Sequence, residues 1–187
     1  HFRFMCNGEK VYHLEIQLGY QHRGVEKLFE QNNRFMPHLV ESIAGDTVIG
    51  HTIAYSNAIE SLLHLKISNK AEIIRAIALE IERIAIHIGD LVAIANDVAY
   101  LMGSSVFGAT RTLVINSLLA ICGSRFGRGL VRIGGVVFDI DDELAKNVLK
   151  TLDKVLKDVE MLVETMFSSA SVISRLEKTG ELSKKKK

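Results

Sequence analysis

From Lys70 to about Leu101, Ile73, Ile77, Ile81, Ile84, Ile88 and Leu91 recur at intervals of three and four. That spacing predicts one long α-helix with an apolar stripe, and a stripe of that length needs other helices to cover it. Asn69 with Glu72 forms a capping-box pattern, so Ser68 or Asn69 starts the helix. Three further segments supply the cover. Ile53, Ala54, Ala58, Leu62 and Leu65 repeat at helical spacing between Thr47 and Leu65, and another helix is expected from about Gly108 to Cys122. Glu143 to Leu176 points Leu144, Val148, Leu152, Val155, Val159 and Leu162 inward, behind N-cap carboxylates at Asp139–Asp142. Gly103-Ser104-Ser105 is expected to break the chain after the long helix, and Gly123 to Gly135 reads as a loop rich in glycine and arginine.

His1 to Leu18 has a different period. Phe2, Phe4 and Cys6 alternate with polar residues and Asn7-Gly8 supplies a tight turn, which predicts a β-hairpin. At 187 residues, 48% of them hydrophobic, the chain can bury one sizeable core. The expected fold is mostly α and a single domain: a small N-terminal β-hairpin over 1–18, a helical bundle of four to five helices over 19–176 and a charged tail over 177–187. Within the bundle, Arg34-Phe35-Met36-Pro37 is expected to end the first helix.

Several function classes are excluded early. A net charge of +1, with basic residues spread among acids, argues against a dedicated nucleic-acid binder. Cys6 and Cys122 lie far apart without a CxxC, which argues against a cysteine-rich zinc or iron–sulfur site and fits a reducing compartment. No glycine-rich phosphate loop follows a strand, so no NADH site is expected. No apolar run reaches the roughly 18–20 residues of a transmembrane helix. The most hydrophobic region, Ile84–Met102, is interrupted by His87, Asp90 and Asp97 and reads as core. Starting at His1 and ending in the lysine run Lys184–Lys187, the sequence reads as a piece of a longer protein.

The densest chemistry lies in GYQHRGVEKLFE, Gly19 to Glu30. His22, Arg23 and Glu26 stand at the start of a helical run whose Val25, Leu28 and Phe29 point to a core. On a helix Arg23 and Glu26 share a face, and Gly24 permits close approach of another backbone or a cofactor. Two charges and an imidazole together suit a proton relay or a polar wall around a redox centre; the plainer reading is an ion pair beside a satisfied histidine. On the long helix, Glu80 with Arg83 and His87 with Asp90 read equally as a polar path or as structural pairs.

GYQHRGVEKLFE resembles the HRGxEK signature shared by the quinone-site subunit of respiratory complex I (NADH-quinone oxidoreductase) and the large subunit of nickel–iron hydrogenases. RIGGVVFD, Arg132 to Asp139, is similar to the RxGGV segment of the same superfamily. EIERIAIHIGDLVAIANDVAYLMG resembles the long helix of energy-converting, membrane-bound hydrogenases. The three occur in order and nearly end to end, which implies a hydrogenase large-subunit-like fold.

The resemblance also says what to look for at Glu41 to His51, ESIAGDTVIGH. The matching hydrogenase segment carries a CxxC pair that ligates the nickel–iron centre. Ala44 and Thr47 stand there in this chain, and neither a methyl nor a hydroxyl replaces a bridging thiolate. His51 falls where the family often has a histidine near the metal. No nickel–iron centre, and no cofactor bound by this chain itself, is therefore expected. In complex I a tyrosine of this loop and a histidine of the hairpin loop hold the quinone headgroup. The tyrosine position falls on or near Gly45, and His1 stands nearest the histidine, so the usual quinone contacts are not implied, although a quinone remains among the cofactors the resemblance allows.

What survives both templates is the trio. The hydrogenase glutamate of this motif is a proton gate, which implies a relay role for Glu26. The His-Arg pair in complex I lies beside an iron–sulfur cluster of a neighbouring subunit, which implies that His22 and Arg23 flank such a cluster in a partner. His51 and Arg132 are expected to line the same cavity. The implied function is that of a peripheral subunit of a membrane-associated oxidoreductase complex, on the cytoplasmic side of the cytoplasmic membrane. Its partners would be an iron–sulfur small subunit and membrane subunits, and it would couple electron transfer to proton or ion movement. The competing expectations are a non-catalytic assembly scaffold and, last, an active nickel–iron hydrogenase.

Overall fold

The alternating segment forms the expected hairpin. Phe2–Asn7 (β1) and Lys10–Ile16 (β2) pair antiparallel, with Phe2 opposite Ile16 and Asn7 opposite Lys10. The loop Gly8-Glu9 turns on Gly8 at φ +60°, the glycine-first arrangement of a type II′ turn. A register shift between Met5 and Cys6 sets Cys6 opposite Val11, and every residue of both strands is exposed. The computed structural model describes residues 1–31 and 36–180, and its chain divides into two units, His1–Leu39 and Val40–Lys187.

In the first unit, α1 (Val25–Gln31) begins only after Gly24. His22 and Arg23 therefore precede the helix, and Arg23 does not share a helical face with Glu26. The expected inward packing of Val25, Leu28 and Phe29 is also weak: α1 buries no residue, and Leu28 is 42% exposed. The end expected at Arg34–Phe35 lies outside the described residues. The single turn α2 (Pro37–Val40) starts on Pro37, where the missing amide has no helical partner to lose.

The second unit is built on α4 (Asn69–Asp97), capped by Ser68, whose side chain accepts from the Ala71 amide at 3.2 Å. Its buried stripe runs through Ala71, Ile74, Ala78, Ile81, Ala85 and Ile88, rotated from the isoleucine line that the periodicity picks out. The alanines let α5 (Leu101–Cys122) approach closely, while Ile73 is 59% exposed and Ile77 and Ile84 wall an apolar groove facing Val148 and Leu152. α5 lies against both α4 and α6 (Asp142–Ser168). Val148, Val155 and Met166 anchor α6, and Asp141 caps it by accepting from the Leu144 amide at 2.8 Å.

Several boundaries differ from expectation. The break after α4 falls at Ala99, held at φ +57°, not at Gly103-Ser104-Ser105, and α5 runs through that triplet. Gly103 packs against the Tyr100 ring, where an added Cβ would stand 2.2 Å from Cδ1. Extended backbone at Ser169 divides the expected Glu143–Leu176 helix into α6 and α7 (Ala170–Leu176). α5 is also long and apolar enough to cross a membrane, contrary to the run-by-run reading; Arg111 interrupts the run without lowering the mean hydropathy enough to matter. Nearly half of that apolar window is buried inside the unit, as in a core helix.

The largest reversal is in α3 (Val48–Leu62). Beyond Val48 and Ile49 it buries Thr52, Ser56 and Glu60, while Leu62 and Leu65 of the expected apolar face are 76% and 46% exposed. The polar face is turned inward because it has a buried partner, Arg75 of α4. The loop after α5 supplies β3 (Val131–Arg132) and β4 (Gly135–Val136), a short antiparallel ribbon.

Candidate functional site

Three buried carboxylates organise the loops of the second unit, each by accepting from backbone amides. Glu82 on α4 takes the Ile49 amide at 2.7 Å and the Gly50 amide at 2.9 Å. Those are first-turn amides of α3, which its own N-cap residue, Thr47, leaves without a side-chain cap. A carboxylate at a helix N-terminus satisfies orphan donors and meets the positive end of the dipole. Gly50 leaves the room: a Cβ there would lie 3.3 Å from Glu82 Oε1. Burial pushes the Glu82 carboxyl above its ordinary range, against the pull of the two amides.

Glu60 on α3 faces Arg75 on α4, both nearly inaccessible. The guanidinium reaches Glu60 through Nη1 at 3.0 Å and Nη2 at 2.7 Å, a bidentate pair. It also donates to Asn57 Oδ1 and to the carbonyls of Arg132 and Gly135, and Glu60 accepts from the Gly134 amide at 2.8 Å. The Arg75 bonds hold the Glu60 carboxyl below its usual range despite burial. Glu41, after α2, accepts from the Gly129 amide at 2.9 Å and from Arg132 Nη1 at 2.8 Å. The ribbon carrying RIGGV is thus held by three buried charges, Glu41, Glu60 and Arg75.

Arg132, expected on the cavity wall, is the half-exposed end of this clamp. His51 stands half-buried in the first turn of α3, one residue after the amide held by Glu82. Ala44 and Thr47 are half-buried in the preceding loop, and Gly45 is exposed with open space about it. Neither Ala44 nor Thr47 brings a thiol to this loop. Of the two thiols, Cys6 is exposed on the hairpin, and Cys122 is buried on the Leu118 and Ser124 carbonyls, its thiol pushed up by burial. Arg83 pairs with Glu80 on the exposed side of α4, as the plainer reading has it.

The first unit holds His22, Arg23 and Glu26, all exposed. His22 Nδ1 accepts from the Gly24 amide at 3.1 Å, which places the neutral ring's proton on Nε2. That nitrogen faces Glu26 Oε2 at 3.7 Å. The imidazole, more than Arg23, is therefore the glutamate's neighbour. Gly24 is required by its φ of +66°, not by a close approach, since nothing lies within 4 Å of its Cβ position. His1 packs at 4.6 Å against the Tyr20 ring.

Sequence reasoning missed Glu41, Glu60, Arg75 and Glu82 as organising residues. The available signal was a charge inside an apolar stripe: Arg75 directly follows Ile74, and Glu82 directly follows Ile81.

Comparison with known proteins bears on the identity of this arrangement. The family described as respiratory-chain NADH dehydrogenase, 49 Kd subunit, matches residues 97–187. Hydrogenase-4 component G of Escherichia coli (strain K12) is 32% identical over 97% of this chain and 33% of its own length. A subunit of the NADH-quinone oxidoreductase of Campylobacter curvus is 29% identical over 95% of this chain and 44% of its own. The membrane-bound hydrogenase subunit alpha of Pyrococcus furiosus is 29% identical over 98% and 43%. The chain spans a third to less than half the length of these relatives. The likeness is thus two-sided, to the 49 Kd subunit of respiratory NADH dehydrogenase and to hydrogenase subunits, and the mostly helical fold with its N-terminal hairpin is consistent with it.

Proposed function

We propose that the chain acts within a membrane-associated oxidoreductase complex, as a peripheral subunit on the cytoplasmic side that couples electron transfer to proton or ion movement. The observation that carries this reading is the orientation of His22. Its Nδ1 is occupied by the Gly24 amide, so the proton on Nε2 faces the Glu26 carboxylate at 3.7 Å. A small closure or one intervening water makes that a transfer distance. Both groups are exposed, so a proton taken up by Glu26 can be handed to or from solvent or a partner surface.

Electron transfer would come from an iron–sulfur cluster in a partner subunit, with Arg23 adding fixed positive charge beside it. His51 and Arg132 would line the polar surface of the second unit, with Arg132 aimed by Glu41. A quinone, if one is used, would be held without the tyrosine contact, because Gly45 offers no hydroxyl.

The test is Glu26→Gln in the complete parent complex. Proton-coupled turnover is expected to fall by about two orders of magnitude or more, the usual contribution of a positioned acid–base group, with assembly intact. Unchanged turnover removes the relay and leaves the assembly scaffold as the better reading. Elemental analysis of the same anaerobic preparation is expected to give iron without nickel. Stoichiometric nickel would show that Ala44 and Thr47 do not occupy the metal-ligand positions.

A further inference from the structure

Arg111 is the only charged residue in α5. It is half-buried, and its Nε donates to the Ala85 carbonyl on α4 at 3.0 Å. Gly89, one turn further along α4, leaves room for the guanidinium: a Cβ there would stand 3.2 Å from Nε. The fork is therefore fixed in direction by a bond at its base and by a flat patch of helix beside it. Among the described residues nothing accepts from Nη1 or Nη2. They belong to a pocket of about 340 Å³ that Asp46 and Asp90 also line, and neither aspartate forms an ion pair with Arg111.

A guanidinium tied down at Nε with both outer nitrogens free presents the parallel donor pair that a carboxylate accepts. The two aspartates give the same pocket a second preference. They repel a dianion such as phosphate and favour a cation near the carboxylate. We propose that this pocket binds a carboxylate with a positively charged group close behind it, the carboxylate on Nη1 and Nη2 of Arg111 and the cation against Asp46 and Asp90. Such a group comes either from a free amino-carboxylate or from a side-chain pair on a partner chain. The chemistry is the same in both cases, and all the residues involved belong to the second unit.

The test is a titration of the nitrogen-15-labelled chain with β-alanine, acetate and inorganic phosphate, followed at the Arg111 Nε–H and the Gly89 and Gly108 amides. β-Alanine is expected to shift these signals at the lowest concentration and phosphate at the highest. Arg111→Lys keeps the charge but loses the fork, and is expected to weaken β-alanine by about tenfold. Asp46→Asn with Asp90→Asn, both exposed positions, should preserve the fold and reverse the order so that the simple anions bind better. No shift with any of the three probes, or phosphate binding best to the unaltered chain, overturns the proposal. Where β-alanine binds, R111K in the parent complex separates the sources. Loss of a subunit on purification assigns the carboxylate to a partner chain, and an intact complex assigns it to a free molecule.

Discussion

Replacing Arg75 with methionine isolates the energetic centre of the second unit. The guanidinium makes six hydrogen bonds, to Glu60, Asn57 and the carbonyls of Arg132 and Gly135. Methionine fills similar volume and donates nothing. Glu60 would then keep only the Gly134 amide as a buried partner, and two carbonyls of the RIGGV ribbon would lose their donor. Breaking one side of a buried pair costs about 3–5 kcal/mol, against about 0–1 kcal/mol for a surface pair. With a urea m-value of about 2 kcal/mol/M, the midpoint should fall by roughly 1.5–2.5 M.

The measurement is urea unfolding by circular dichroism on wild type, R75M, E60Q and the double variant. If the loss comes from stranded charge, E60Q relieves much of it. The double variant should then be more stable than the sum of the single losses predicts, by about 1–3 kcal/mol. The pH dependence adds a sign. Arg75 lowers the Glu60 carboxyl in the folded state, so the unfolded chain binds more protons between the two values. The stability contributed is present above the unfolded carboxyl range and is lost as pH falls through the folded one, and R75M should flatten that acid limb. Additive single losses, or an R75M loss below about 1 kcal/mol, would refute the reasoning.

Glu82 should show the opposite pH sign. Its carboxyl is raised by burial, so the folded state holds the proton more tightly, and the stability it contributes below the unfolded value is lost as pH rises through the folded one. Glu82→Gln should therefore gain on wild type between acid and neutral pH in the same assay; a parallel pair of curves would contradict the assignment. Gly127→Ala should destabilise by about 1–3 kcal/mol through overpacking, because at φ +71° its Cβ would meet Ile49 Cδ1 at 2.3 Å. Gly134→Ala, with positive φ but open space, should lose only about 1 kcal/mol, and equal losses would show that backbone conformation alone decides both.

How far the sequence carries depends on whether a feature is local. The hairpin, the Asp141 cap and the inward face of α6 need only neighbours in the chain and lie where the pattern puts them. The cap of α4 falls on Ser68 rather than on the Asn69–Glu72 pair, and the hairpin turns at Gly8-Glu9, one residue past Asn7-Gly8. The break at Ala99 is local too, yet invisible, because alanine carries no preference for positive φ. The α4 stripe departs from its pattern for a different reason. Periodicity weights the large isoleucines, but close helix packing selects the small residues, so the stripe turns toward Ala71, Ala78 and Ala85. Within the trio, Gly24 delays the helix, and that leaves His22 rather than Arg23 beside Glu26.

The carboxylates that shape the site lie beyond any local pattern. Glu41, Glu60 and Glu82 each accept from loop or helix-start amides, at Gly129, Gly134, Ile49 and Gly50. A glycine-rich loop folded against a helical core brings in amides that no helix or sheet ladder satisfies, and burying them unpaired is costly. A buried carboxylate has oxygens enough to accept such an amide and a second donor, which is another amide for Glu82, Arg75 for Glu60 and Arg132 for Glu41. The glycines of the 127–135 loop and the charges embedded in apolar or inward faces are therefore two halves of one requirement. Each half is readable in the sequence; only the fold says which carboxylate meets which amide.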